Sequence, residues 1–503
     1  MGEVDPIECT LYATSGLNPR IECFEKFKVL DPSWPDMWYL NRNLKNSSLP
    51  DLNVTTAWEL GYTGKGVIIT FLDDGLEWDH PDIFENFEQS ASKNLLDNKD
   101  DPRPDYSHYV QNHGTRSAGI VGSLANNNLC TIGIAFNSRI GAIRILSDQA
   151  VSDSLLAQAL EFNREKIHIY CSSFGPPDLE LIEPGPKTKT ALREGVNKGR
   201  KGLGSIYIWA SGNGGEFEDS CAYDGYINSI YTFSISATTE NGNKPSYTEE
   251  CSSILATTFS SGSPEEKSIY SIDIKGECTS DHSGTSAAAP IAAGIIALTL
   301  EANPKLTWRD VMFITVLTSR AKAIVSNNYI QNKRGLLVSS RYGFGLMDAG
   351  RMVEVAKNWV NVPKMVTCDV QSFDYLVKTR KLFGITEVRL FTNSCQGTRN
   401  EINYIEQIEI VVSILVKIRG FLEFNITSPM GTKSQILQVR KYDNSPEGFV
   451  KWTFMSVYFW GENPKGEWIL NFGSIDASIV EMSELNLKIH GTKNKPCEYE
   501  KYF

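Results

Sequence analysis

The stretch Gly66-Val67-Ile68-Ile69-Thr70-Phe71-Leu72-Asp73-Asp74-Gly75 runs an apolar, β-type segment straight into two carboxylates and a glycine. Outward from it the same texture returns at Arg139 to Leu146, Ile167 to Ser173, Ser205 to Ala210 and Ile230 to Ile235. Helical patterns follow several of these, at Ser152 to Asn163, Thr190 to Lys198, Thr285 to Ala302 and Trp308 to Thr318. Strands alternating with helices predict an α/β domain, a mostly parallel sheet with helices on both faces. Ligands of such sheets bind at the carboxyl ends of the strands, where Asp73 and Asp74 stand.

Beyond Asn358 to Pro363 helix-length periodicity disappears. The runs Ile408 to Ile418, Phe421 to Ile426, Gln435 to Val439, Val450 to Tyr458 and Leu485 to His490 are separated by turn residues such as Ser428-Pro429-Met430-Gly431. This predicts an all-β sandwich or barrel of about eight strands. The expected organisation is an unassigned segment 1–30, an α/β domain 31–360, a β-sandwich 361–495 and a tail 496–503. The whole chain has 503 residues, consistent with more than one core, since single cores stop growing at about 250–300 residues.

Lys plus Arg number 49 against 60 Asp plus Glu, a net charge of −11, which argues against binding a phosphate backbone and so against a nucleic-acid partner. Hydrophobic residues at 41% and charged residues at 22% argue against disorder or a collagen-like chain over most of the length. The longest uncharged apolar tract, near Ala287 to Leu300, contains Pro290 and is shorter than the ~20 residues of a bilayer span, so no membrane crossing is expected. The N-terminus shows no apolar run of a secretory signal. Ten cysteines include no Cys-x-x-Cys pair, which disfavours zinc. Sequons start at Asn46, Asn53 and Asn425, as in a glycosylated exported protein.

Four places carry candidate chemistry. Asp73 and Asp74 end a strand, though an aspartate there also caps turns. His113-Gly114-Thr115 opens a small-residue helical tract, Ser117 to Ala125, and a lone histidine in that position is often structural. Ser286, in Gly284-Thr285-Ser286-Ala287-Ala288-Ala289-Pro290, begins an apolar helix whose exposed N–H groups favour an oxyanion; an N-cap serine is the plainer alternative. Asn213, in Ala210-Ser211-Gly212-Asn213-Gly214-Gly215, sits in a turn or supplies an amide donor to that oxyanion. Together they fall in the chain order Asp, His, Asn, Ser. The order Asp…His…Ser is that of subtilisin-type serine proteases, in which the histidine takes the serine proton and the aspartate holds the imidazole.

The sequence resembles kexin/furin-type proprotein convertases, subtilisin-like serine proteases with a P domain. The likeness runs from about Asp31 to Thr492 through Leu72 to Trp78 (LDDGLEW), HGTR at His113, ANNNLC at Ala125, IHIYCSSFGP at Ile167, GSIYIWASGNGG at Gly204, HSGTSAAAP at His282, YGFGLMDAG at Tyr342 and SPMGT at Ser428. The resemblance implies a subtilisin-like catalytic domain followed by a jelly-roll P domain. It implies Asp73, His113 and Ser286 as catalytic residues with Asn213 as oxyanion donor. The implied activity is calcium-dependent cleavage of proproteins or peptides after paired basic residues in the secretory pathway, in the Golgi, secretory vesicles or outside the cell.

By the same resemblance Asp178 and Asp224 surround the residue before the scissile bond and Asp74 meets the one before that. Ser173, Phe174 and Gly175 pair with the substrate backbone as an added strand. One Ca2+ site is implied at the side chains of Asp31, Asp82 and Asn127 with carbonyls of Leu124, Leu129 and Thr131. A second is implied at Asp178, Asp219 and Glu249. Implied disulfides are Cys130 with Cys278, Cys221 with Cys251 and Cys368 with Cys395, leaving Cys9, Cys23, Cys171 and Cys497.

Departures from the family pattern bear on function. Leu156 stands near where an acid usually contacts a basic residue four positions before the cut, and Pro177-Asp178-Leu179-Glu180-Leu181 replaces an acidic, glycine-containing loop, so selection of that distant arginine is expected to be weaker. Val110 replaces an acid before the catalytic histidine, Phe174 and Ser246 replace tryptophans, Tyr223 replaces a cysteine, and Arg419-Gly420-Phe421 stands for the usual Arg-Gly-Asp. No multibasic cleavage sequence lies in the first 30 residues, which leaves an incomplete gene product and an unusual maturation both open. The alternative reading is an impaired homologue that binds basic peptides or partner proteins.

Overall fold

The structure is a computed structural model. It describes residues 8–11, 21–24, 28–42, 50–107, 111–324, 326, 328–371, 378–382, 385–476, 478 and 480–496. Asn46, Val110 and Cys497 lie outside these residues. Near the N-terminus β1 (Glu8–Leu11) pairs antiparallel with β2 (Ile21–Phe24), in a segment for which the sequence predicts no fold, and Cys9 faces Cys23 in the register.

The first large unit is a parallel sheet of seven strands: β3 (Ile68–Asp73), β4 (Lys93–Asn94), β5 (Arg139–Arg144), β6 (Ile169–Ser172), β7 (Ile206–Ala210), β8 (Thr232–Thr238) and β9 (Ala256–Phe259). Their spatial order is β4-β5-β3-β6-β7-β8-β9, every pairing parallel. β6, β7, β8 and β9 are buried at every residue, as strands covered on both faces must be. The helices are α1 (Val54–Glu59), α2 (His113–Gly122), α3 (Asp153–Glu161), α4 (Pro186–Lys198), α5 (Thr285–Ala302), α6 (Trp308–Thr318) and α7 (Ala349–Lys357). Two hairpins complete this part, β10 (Ile269–Ile272) with β11 (Cys278–His282) and β12 (Ile330–Gln331) with β13 (Leu337–Val338).

α5 is long and apolar enough to cross a bilayer, yet 89% of its apolar window is buried within the protein. Its sequence is apolar all round because it fills the core against β6 to β9, not because it meets lipid.

After α7 the chain becomes antiparallel. A four-stranded sheet takes β14 (Val366–Gln371), β17 (Tyr404–Leu415), β20 (Phe449–Ser456) and β22 (Glu481–Thr492) in the order β14-β22-β17-β20. A five-stranded sheet takes β15 (Lys378–Leu382), β16 (Ile385–Thr392), β18 (Leu422–Thr427), β19 (Lys433–Leu437) and β21 (Gly466–Ser474) in the order β15-β16-β21-β18-β19. The alternation of buried and exposed residues in β18 and β22 gives each sheet one inner face, and Phe424, Phe454 and Phe472 meet edge to face between them.

The two units share a contact of buried, directly hydrogen-bonded side chains. Arg309 of α6 pairs through Nε with Glu406 at 2.8 Å, both side chains being buried. Ser252 Oγ donates to the Met455 carbonyl at 2.7 Å, Trp452 Nε1 donates to Ala222 at 3.2 Å, and Asn332 Nδ2 bridges the carbonyls of Tyr458 and Trp460. The disulfides Cys130–Cys278, Cys221–Cys251 and Cys368–Cys395 are formed, and Cys171 is a buried free thiol.

Candidate active site

β3 delivers Asp73 at its carboxyl end, 1% exposed, and α2 begins at His113 directly opposite. Small residues permit the approach: a Cβ on Gly114 would stand 2.2 Å from the Gly75 carbonyl oxygen, so a larger residue would push His113 away from Asp73. The imidazole Nδ1 lies 2.9 Å from both Asp73 oxygens. That contact places the proton on Nδ1 and leaves Nε2 free to accept one. Burial alone would lower the His113 pKa, but the charge and hydrogen bond of Asp73, helped by Asp74, hold it up at about 9.

Asp74 takes the place of an N-cap for α2. Its Oδ1 accepts from Gly114 N at 2.8 Å and its Oδ2 from His113 N at 3.1 Å, while Asn112, which precedes the helix, makes no side-chain cap. Burial and the neighbouring Asp73 raise the Asp74 carboxyl to about 7.

Ser286 occupies the second residue of α5, preceded by Gly284 at φ +74°, a left-handed conformation that suits glycine. Pro290 lacks the N–H that would bond the Ser286 carbonyl four residues back. Ser173 fills that role with its hydroxyl at 3.2 Å, and the Ser286 hydroxyl returns the bond to the Ser173 carbonyl at 3.2 Å. The Ser286 hydroxyl therefore points at the Ser173 carbonyl. Asn213, in the loop after β7, accepts from Thr285 N at 2.9 Å and Thr285 Oγ1 at 3.0 Å on its Oδ1, which fixes the amide flip and leaves Nδ2 as the outward donor.

Ser286 and Asn213 open on one cleft of about 130 Å3, lined also by Ser173 to Asp178, Asp219, Asp224 and Glu249. Gly175 lies against Asp224, a Cβ there standing 3.1 Å from Asp224 Oδ2. Asp224 is fixed by the Tyr226 N–H at 2.6 Å and is raised by burial to about 7. Asp178, Asp219 and Glu249 offer oxygens within 4.8 Å of one another. Burial, and then the charge of Asp219, hold Asp178 and Glu249 above the ordinary carboxylate range. Phe174 and Gly175 lie beyond the end of β6, and the Phe174 carbonyl accepts from Trp209 Nε1 at 2.7 Å.

The other acidic group also assembles. Asp31 accepts from Asn126 N and Asn127 N at 2.9 and 3.2 Å, Asp82 accepts from Asn127 Nδ2 at 2.8 Å and Thr131 N at 3.2 Å, and Leu124 N donates to the Asp82 carbonyl at 2.7 Å. Asp31 and Asp82 are fully buried, and burial raises Asp82 to about 7. Asn127 Oδ1 accepts from Leu129 N at 3.0 Å.

Leu156 is 1% exposed within α3 and brings no carboxylate to the cleft. Residues passed over in the sequence include Thr285, readable only as the neighbour of Ser286, and His282. The His282 ring meets His113 edge-on at 5.4 Å and is kept neutral by burial, then by His113 and Arg116. Arg440 reaches the cleft wall from the β-sandwich, and nothing in its local sequence signals that.

Comparison with known proteins follows the same two units. The subtilase family matches residues 64–345 and the proprotein convertase P-domain matches residues 405–487. The chain is 45% identical over 477 residues to proprotein convertase subtilisin/kexin type 5 of Homo sapiens, covering 93% of this chain and 26% of that protein. It is 44% identical over 467 residues to furin of Homo sapiens, covering 92% of this chain and 58% of furin. The chain thus spans about a quarter of the first relative and little more than half of the second. The solved serine protease of Aeromonas sobria shares the fold with a TM-score of 0.79 at 20% identity, covering 93% of this chain and 96% of that one.

Proposed function

Because this chain belongs to the subtilase family, in the kexin/furin-like form that carries a P domain, we propose that it is a calcium-dependent serine endopeptidase that processes proproteins by cutting after paired basic residues. The observations that carry the reading are the Nδ1 contact of His113 with Asp73 and the shared cleft of Ser286 and Asn213. Once the Ser286 hydroxyl turns from Ser173 towards Nε2, His113 takes its proton as the oxygen attacks the scissile carbonyl. Asp73 stabilises the imidazolium that forms. The oxyanion receives Asn213 Nδ2 together with the N-terminal amides of α5. His113 then returns the proton to the leaving amine, and a water repeats the sequence to free the acid.

Substrate choice follows the carboxylates. Asp178 and Asp224 receive the Lys or Arg immediately before the cut and Asp74 the one before that, with the net charge of −11 steering basic segments inward. Ser173, Phe174 and Gly175 align the substrate backbone. Two donor sets suit a hard oxygen-seeking cation: Asp31, Asp82 and Asn127 with carbonyls of Leu124, Leu129 and Thr131, and Asp178, Asp219 and Glu249. Burial of Asp31, Asp82, Asp219 and Glu249 is costly without a cation, and at the first set the Asn127 amide must turn to present its oxygen. Bound Ca2+ supplies charge that offsets carboxylate repulsion and holds the cleft wall. The family and the disulfides support residence in the secretory pathway.

The test is hydrolysis of fluorogenic peptides ending in Lys-Arg or Arg-Arg by the folded protein and by Ser286→Ala, with and without a calcium chelator. Hydrolysis confined to the parent protein and suppressed by chelation is expected. Equal rates from both proteins would leave the alternative of a peptide-binding homologue, which the Ser286–Ser173 hydrogen bond also accommodates.

A further inference from the structure

The side chain of Arg440, between β19 and β20 of the sandwich, is completely buried and leaves its own unit. Nη1 donates to Asp219 Oδ1 at 2.8 Å and the Glu180 carbonyl at 3.3 Å; Nη2 donates to the Leu179 carbonyl at 2.8 Å and Asp443 Oδ2 at 2.6 Å. The guanidinium lies 3.6 Å from the centroid of the Tyr223 ring. On the sandwich side it is braced: Arg419 Nε pairs with the same Asp443 oxygen at 2.7 Å, and Arg440 N donates to the Gly420 carbonyl at 2.8 Å.

Every group that Arg440 touches beyond its own unit belongs to the specificity cleft or its supporting loop. Asp219, Glu180 and Tyr223 line the cavity that contains Ser286 and Asp224. Leu179 holds φ +65°, unusual for a side chain of that size, and its N–H donates to Asp219 Oδ2 at 2.5 Å. Loop 177–181, which carries Asp178, is therefore tied to Asp219 from one side and to Arg440 from the other. A planar guanidinium reaches an acid and two carbonyls at once, which an ammonium cannot reproduce.

We propose that Arg440 is a positioning residue for recognition of the basic side chain immediately before the scissile bond, coupling the seating of the β-sandwich to the shape of that subsite. This rests on the proposed endopeptidase reading. An interdomain staple that served stability alone would affect all chemistry at Ser286 together. Arg440 acts instead on the wall that holds Asp178 and Asp224, and leaves Asp73, His113, Asn213 and Ser286 in place.

The test uses the full chain with Arg440→Met and Arg440→Lys, folding being checked by thermal unfolding. KM and kcat are measured for a peptide with arginine before the cut, beside the rate at which diisopropyl fluorophosphate, too small to need that subsite, phosphorylates Ser286 with loss of fluoride. The expected result is a KM increase of about tenfold or more for Arg440→Met and a smaller one for Arg440→Lys, with the rate of phosphorylation within about twofold of the parent. Should Arg440→Met not fold, Arg440→Lys alone decides by the same split. Unchanged KM in a folded variant, or equal loss of peptide cleavage and phosphorylation, would overturn the inference while the endopeptidase reading stands. A parent protein that is phosphorylated by the reagent yet cuts no basic peptide would remove that reading and this inference with it.

Discussion

Thr285 donates both its backbone N–H and its hydroxyl to Asn213 Oδ1, at 2.9 and 3.0 Å. The residue beside Ser286 thus decides which way the Asn213 amide faces. Asn213→Ala is expected to lower kcat by about 10²–10³-fold with little change in KM, the range for a single lost oxyanion donor. Thr285→Val keeps the backbone bond and removes the hydroxyl, so a smaller kcat loss is expected. Steady-state kinetics on the basic peptide substrate check both, and a loss expressed in KM alone would contradict the assignment.

Proton acceptance by His113 would carry a pH signature. Asp73 and Asp74 hold the His113 pKa at about 9, and only the neutral imidazole accepts a proton, so kcat/KM should climb with pH well beyond the ordinary histidine range. Asp74 contributes part of that rise by its charge, hence Asp74→Asn should move the acidic limb to lower pH. The pH profiles of the parent and Asp74→Asn measure this; a limb that does not move would show that the Asp74 charge is not felt at His113.

Calcium should act on stability as well as rate. Asp31 and Asp82 are fully buried and adjoin through Asn127, and burial has already raised Asp82 to about 7. Free Ca2+ at a hundred times its Kd stabilises the folded state by about 2.7 kcal/mol, so chelation should lower Tm measurably. In Asp82→Asn the calcium dependence of Tm should shrink, as calorimetry with and without chelator would show. An unchanged calcium response would place the stabilising ion elsewhere.

Selection at a distance from the cut should be slack. Leu156 is buried in α3 and offers no charge. Any remaining attraction for an arginine four residues before the scissile bond acts through solvent, worth ~0–1 kcal/mol, or at most about fivefold in kcat/KM against alanine there. Paired peptides differing only at that position test the expectation, and a preference of a hundredfold would require an acid not yet identified.

What the sequence discloses of this site is what lies contiguous in it. The apolar run into Asp73-Asp74-Gly75 marks a strand end, and the observed β3, Ile68–Asp73, is shifted by one residue at each end from the span Val67 to Leu72 that the sequence suggests. α5 and α6 begin and end as their patterns predict, because Thr285 follows a glycine and Thr307 and Asp310 form a capping box. Short β4 and the polar strand β9, Ala256–Phe259, leave no periodic trace and are supplied by pairing with their neighbours. The reciprocal Ser173–Ser286 bonds and the Arg440–Asp219 pair join residues 113 and 221 positions apart, so only the folded arrangement reveals them. Asp74 is a third kind of case: its sequence context suggests a cap or a substrate contact, and the structure uses both oxygens on the first turn of α2.

The central claim is that Ser286 and His113 act as one unit in cleaving a peptide bond after basic residues. It is tested most directly by kcat for an Arg-Arg peptide in Ser286→Ala, His113→Ala and the double variant, each shown to be folded. Each single change should abolish nearly all turnover, by about 10⁶-fold, and the double variant should lose no more than either alone. Multiplicative losses, or turnover in Ser286→Ala equal to that of the parent protein, would contradict it.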